Sequence, residues 1–152
     1  MPDTDHGIAQ EPLRVSILAQ GGNLIASIHT ALDDGQLVRF QRNLMDQIGR
    51  RRARGVIVDV AALDVIDSFA THTLRSLGTA ARLRGARTVV VGIRPAVALA
   101  MVAWGLTLEP VHTALDLEEG IALLEAALAR DQAWRVNADG NDLGTASTRE
   151  GR

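Results

Sequence analysis

The chain has 152 residues, 47% of them hydrophobic and 22% charged, which suits one globular domain with a single core. A net charge of −2 offers no basic field for nucleic acid, and the absence of cysteine excludes disulfides and thiolate chemistry. Aromatic residues make up 3%, so the core has to be aliphatic, and no apolar run approaches the ~20 residues that span a bilayer.

Residues 1–12, with two prolines and few apolar side chains, read as a flexible N-terminal arm that is polar and acidic rather than secretory. A cytoplasmic location follows as the expectation. The globular domain is expected over residues 13–130, and it opens with Leu13–Gln20, where Leu13, Val15 and Ile17 alternate as on a strand. Gly21-Gly22-Asn23 is a hairpin signal, and Leu24–Thr30 is the returning strand, with Leu24, Ala26 and Ile28 on one face. Asp33 and Asp34 then precede an amphipathic helix that has Leu37, Phe40, Leu44 and Ile48 at spacings of three and four. Its arginines (Arg39, Arg42, Arg50, Arg51, Arg52 and Arg54) suit a solvated basic face and helix end, with partner docking as the sharper reading. Gly55 is the expected stop.

Val56, Ile57, Val58 and Val60 form a β-branched run that reads as a buried central strand. After a connection carrying Asp64 and Asp67, a helix begins near Ser68 and runs to about Arg84, with Phe69, Thr73, Leu77 and Ala80 or Ala81 facing inward. Asp67 suits the N-cap, because its carboxylate can accept from unpaired amides of the first turn. Thr88–Ile93 is another apolar strand, and Pro95 fits the first turn of the next helix. That helix, Ala96–Trp104, is apolar almost all round, so it is either heavily buried or displays a hydrophobic face. Val111–Ala114 is a short final strand, and Asp116 caps a helix extending to about Arg130 with Leu117, Ile121, Leu124 and Leu128 inward. Residues 131–152 are rich in Gly, Asn, Asp and Thr and read as a polar, disordered tail, with Trp134 as a possible anchor. The alternation implies an α/β fold: a mostly parallel mixed sheet, an antiparallel N-terminal hairpin, and helices packed against the sheet.

Few residues here carry chemistry. Ser68 and His72 stand four apart on the predicted helix, but a nucleophile needs its imidazole aimed from a separate support, and no G-x-S-x-G elbow is present. Gly21-Gly22 lies in a hairpin, so it is no phosphate cradle, and His6, His29, His72 and His112 lack metal-ligand spacing. No metal, cofactor or enzymatic activity is expected. Ser68 remains as a hydroxyl at a strand-to-helix corner beside Phe69, flanked by Asp64 and Asp67. A phosphate there would gain from the helix N-terminus and be repelled by the two carboxylates, so it would point outward at a partner.

The run V-I-D-S-F after G-V-I-V-D-V resembles the signature of STAS domains, the anti-sigma factor antagonist fold. L-I-A-S-I-H-T-A-L-D-D, G-I-R-P-A-V-A and V-H-T-A-L-D-L-E-E-G extend the likeness over about Leu13–Leu128, toward the RsbS-like scaffolds of the bacterial stressosome. The resemblance implies a scaffold that assembles with RsbR-like STAS paralogues into a large oligomer and holds an RsbT-like serine kinase. It implies phosphorylation at Ser68, with Asp64, Asp67 and Phe69 framing the partner-binding corner, release of the kinase, and resetting by a PP2C-type phosphatase. Two rivals stand beside it: an anti-sigma factor antagonist that binds its kinase outside a stressosome, and a small enzyme using Ser68 and His72.

Overall fold

A computed structural model describes residues 14–144. Five strands, β1 (Val15–Gln20), β2 (Asn23–Ile28), β3 (Gly55–Asp59), β4 (Arg87–Val91) and β5 (His112–Ala114), form one sheet in the order of the chain. The first two pair antiparallel through the hairpin and the remaining pairs are parallel. Four helices complete the domain: α1 (Asp34–Arg51), α2 (Ser68–Leu83), α3 (Pro95–Ala103) and α4 (Leu117–Gly144).

Topology decides where the helices lie. When parallel strands are laid down one beside the next in a single direction, right-handed crossovers place every connecting helix on the same face. α1, α2 and α3 accordingly share one side, where Phe40, Leu44, Ile48, Leu74, Leu77, Val97 and Met101 meet Leu24, Ala26, Ile28, Val56, Val58 and Val90 in the main core. The opposite face is covered by α4, which lies across β3, β4 and β5. There Leu124 packs on Ile25, Ile57, Val89 and Val91. Both faces of β3 and β4 are buried, which is why their sequences are unbroken β-branched runs rather than alternating ones.

The local signals work as their chemistry requires. Asp33 caps α1 by accepting from the Gln36 amide at 2.7 Å, while the Gln36 side chain accepts from the Asp33 amide at 2.9 Å, a closed capping box. The four residues buried on α1 are Leu37, Phe40, Leu44 and Ile48, the set its periodicity marks. Pro95 occupies the first turn of α3, and Asp116 accepts from the Glu119 amide at the start of α4.

Five readings change. The stop of α1 is Arg52, in the left-handed conformation at φ 50°, and not Gly55. Gly55 is instead buried in β3, where a Cβ would stand 2.4 Å from Asn23 Oδ1 and 2.9 Å from Leu124. Two strands also end before their apolar runs do, β2 at Ile28 rather than Thr30 and β4 at Val91 rather than Ile93. On α2 the inward stripe is Thr71, Thr73, Leu74, Leu77 and Ala81, with Phe69 only half-buried. α4 does not end near Arg130: it continues to Gly144, through more than half of the segment read as disordered. Two arginines explain the continuation, since Arg87 and Arg82 both hold the Asp131 carboxylate, and a helix already formed extends at little cost per residue. Trp134 is not an anchor; it is 73% exposed on that extension. The N-terminal arm, residues 1–12, and residues 145–152 lie outside the described residues.

Candidate functional site

The corner between β3 and α2 is a loop with two hooks. Leu63 and Ile66 are buried in the main core, whereas Asp64, Val65, Asp67 and Ser68 face solvent. The Asp59 carboxylate accepts from the Ala61 amide at 2.9 Å, and the Val60 amide donates to the Val91 carbonyl at 3.0 Å, so the loop leaves the sheet in a fixed direction. β4 makes room for it at Gly92. With φ at 83° and Ala61 2.9 Å from where a Cβ would sit, this position is closed to other residues twice over.

Asp67 is the N-cap of α2. Its carboxylate accepts from the Ala70 amide at 2.8 Å, and its carbonyl accepts from the Thr71 amide and hydroxyl at 2.9 and 2.8 Å. The capping duty thus falls entirely on Asp67, and Ser68 Oγ is exposed at the first helical position with no part in it. Asp64 is pinned by Arg94, which also donates from Nε to the Ala61 carbonyl at 2.8 Å. Because both partners of that ion pair are half-exposed or more, it orients the loop rather than stabilising the fold strongly. Phe69 turns half into the body beneath the corner, and its carbonyl accepts from the Thr73 hydroxyl.

Sequence patterning left the environment of α3 open between burial and display, and the fold does some of each. Val97 and Met101 enter the core, whereas Leu99, Val102 and Trp104 are 73%, 76% and 82% exposed. Between α3 and the corner loop runs a groove of about 400 Å³, its floor made by Ile66, Val97 and Leu106 and its lip by Asp64, Asp67 and Ser68. Trp104 and Val65 stand on its margins. Nothing in the sequence alone marks Trp104 and Leu106 as neighbours of Ser68, because the end of α3 and the segment after it bring them there.

Ser68 and His72 do not pair as nucleophile and base. His72 faces Ser76, one turn further along α2, with 3.5 Å between its Nε2 and that hydroxyl, and the hydrogen bond is not to Ser68. Among the described residues no three His, Asp or Glu side chains converge to hold a metal ion, and no helix is long and apolar enough to cross a membrane.

The family model for the STAS domain matches residues 14–120. The RsbT co-antagonist protein RsbRA of Bacillus subtilis is 31% identical over 90 residues, covering 59% of this chain and 33% of that protein. The chain therefore spans about a third of the length of that relative. A structure of Moorella thermoacetica RsbS carrying a serine-to-glutamate substitution is 35% identical, with a TM-score of 0.65, over 78% of this chain and 99% of that one. A chain from the molecular architecture of the stressosome, described as a signal integration and transduction hub, is 31% identical with a TM-score of 0.60, over 76% of this chain and 99% of that one.

Proposed function

Since the chain belongs to the STAS-domain family, and within it to the RsbS-like stressosome group, we propose that it is a non-enzymatic scaffold whose Ser68 corner holds an RsbT-like serine kinase until phosphorylated. The observation that carries this reading is a hydroxyl left free of the helix cap, exposed, and set on the lip of an apolar groove. With Ser68 neutral, the groove and the bare side chains of Val65, Leu99 and Trp104 offer a partner surface that loses water on contact. The kinase transfers a γ-phosphoryl group from ATP to Ser68 Oγ; the hydroxyl proton is lost and ADP leaves. The product carries about −1.5 to −2 charges at neutral pH. The α2 N-terminus favours that charge, but the Asp67 carboxylate beside it and Asp64 across the corner push it outward over the groove. A surface that was apolar with an acidic lip then has a dianion at its edge, and the partner separates. A PP2C-type phosphatase hydrolyses the ester and restores the corner.

RsbR-like STAS paralogues are the partners with which it assembles, as the similarity to RsbRA and to a stressosome chain supports. The serine-to-glutamate substitution in the RsbS structure supports attention to a negative charge at a serine in this group.

The test is binding of the kinase from the same genome to four forms of the protein: wild type, Ser68→Ala, Ser68→Asp and enzymatically phosphorylated. Wild type and Ser68→Ala should bind alike, and the phosphorylated form at least about tenfold more weakly, as expected for a desolvated charge at an interface. Equal affinity for phosphorylated and unphosphorylated protein sinks charge gating. Light scattering after mixing with the RsbR-like paralogue separates the scaffold from its rival, because an antagonist acting outside a stressosome forms no megadalton-scale particle.

A further inference from the structure

α4 has a second apolar edge that its own domain does not use. Ala122, Ala126, Ala129, Ala133, Val136 and Gly140 recur at alternating steps of four and three, and all six are exposed. At about 100° per residue, Ala126 and Ala133 lie about 160–180° round the helix from Leu124, so this edge faces straight away from the sheet. It begins over the sheet and runs on along the overhang, where residues 132–140 are exposed on every side. Among the described residues nothing covers that overhang, although Asn137, Asp139 and Gly140 are poor helix formers and an uncovered helix of such a length is marginal in water. The overhang also lies beyond residue 120, where the match to the STAS family model ends.

Alternating steps of three and four are the spacing of a two-helix seam, and the charges flanking this one select its occupant. With Ala126 and Ala133 at a positions and Ala129 and Val136 at d, Glu125 falls at g and Arg130 at e. Neither makes an ion pair within its own copy among the described residues. In a parallel pair, a g side chain meets the e side chain five residues on in the other helix, so Glu125 of each copy meets Arg130 of the other. An antiparallel pair brings g to g instead and sets Glu125 against Asp139. We propose that a second copy of this chain covers α4, the two helices lying side by side, parallel and in register, with the sheets on the outside. Small side chains let the two backbones approach closely, and Val136, 69% exposed in one copy, supplies apolar contact on the overhang. Both Ser68 corners then sit at the same end, on the far side of each sheet from the seam. The pairing rests on α4 alone and not on the role proposed for Ser68.

The test uses the full chain, and each replaced side chain is exposed, so folding is left intact. Sedimentation equilibrium should show a monomer–dimer equilibrium. Glu125→Arg and Arg130→Glu should each weaken the dimer at least about tenfold, and the double swap, which restores both pairs, should return it to within about threefold of wild type. The chain has no cysteine, so single cysteines report the register against a silent background. With oxidised glutathione as oxidant, Val136→Cys, at a d position, should form a disulfide-linked dimer about tenfold faster than Arg135→Cys, one residue round the helix. A chain that stays monomeric at millimolar concentration overturns the proposal. So does a dimer indifferent to both charge reversals, which uses another face, or equal cross-linking of the two cysteine variants. None of these outcomes bears on kinase binding at Ser68, which is measured with separate components on a separate surface.

Discussion

Asp67 and Ser68 are adjacent on the chain and divide two duties between them. The carboxylate is spent on the first turn of α2, and the hydroxyl is left over. Replacing Asp67 by alanine should therefore cost about 1 kcal/mol in urea unfolding, the usual worth of an N-cap, with Asp67→Asn recovering most of it. Ser68→Ala should change stability by no more than about 0.5 kcal/mol, because an exposed side chain outside the cap has little to lose. Finding the reverse order would show that Ser68 is a structural cap. The role of Asp67 could be read from sequence, since an acidic residue before an apolar-periodic segment has few other local uses. The burial of Thr71 could not. A threonine facing the core is acceptable only once its hydroxyl bonds to a carbonyl one turn back, and that bond depends on the helix already being formed.

Among the elements, α4 departs most from its sequence pattern. The inward stripe through Leu124 and Ala127 arrives next at Asp131, where an apolar residue would continue the core, and this break is what makes the helix look finished. The partners that rescue it, Arg82 and Arg87, lie 49 and 44 residues away and carry no local signal. Hydrogen bonding from Arg87, and then from Arg82, holds the Asp131 carboxyl below the ordinary aspartate range against the opposing effect of its partial burial. A lowered folded-state value means that this contribution to stability is present above the unfolded value and lost as pH falls through the folded one. Asp131→Asn should accordingly raise amide exchange along residues 127–138 at pH 7, and its difference from wild type should shrink as pH drops below about 4. A difference independent of pH would mean that the ion pair contributes nothing to holding α4. The other elements were legible because their apolar spacing is strong and their ends carry capping acids, proline or glycine. Their ends were less legible: β2 and β4 stop two residues short of their apolar runs, and the α1 stop was misplaced because a left-handed arginine leaves no trace in composition.

Across the whole molecule, the elements that begin at one end and finish at the other sort its charge. Asp33, Asp34, Asp64, Asp67, Asp116, Glu118 and Glu119 gather where strands end and helices start. Arg50, Arg51, Arg52, Arg54 and Arg84 gather at the opposite pole. Each set complements the helix dipoles of α1 and α2, which accounts for most of the basic face without a partner. The bare side of α3 has no such internal explanation. Met101 and Leu99 separate its two roles: Met101→Lys buries an unpaired charge and should lower the melting temperature sharply, whereas Leu99→Asp should leave folding intact and weaken assembly or kinase binding. If Leu99→Asp proves silent in both binding assays, the exposed apolar strip is not an interface. The amphipathic logic of the other helices could be read from their spacing, but an all-apolar helix has no polar side to give its orientation away.

The overhang of α4 sets a limit on how copies can be arranged. A helix of 28 residues is about 42 Å long, while the five-residue strands beneath it run about 17 Å. Residues 132–140 are exposed throughout, so the surplus projects from the arginine pole as a post. Any neighbour approaching that pole end-on meets the post first and is kept at a distance or forced to one side. In a closed shell of such domains, the available lattice spacing would be dictated there by a rod rather than by the flat ends of the sheets.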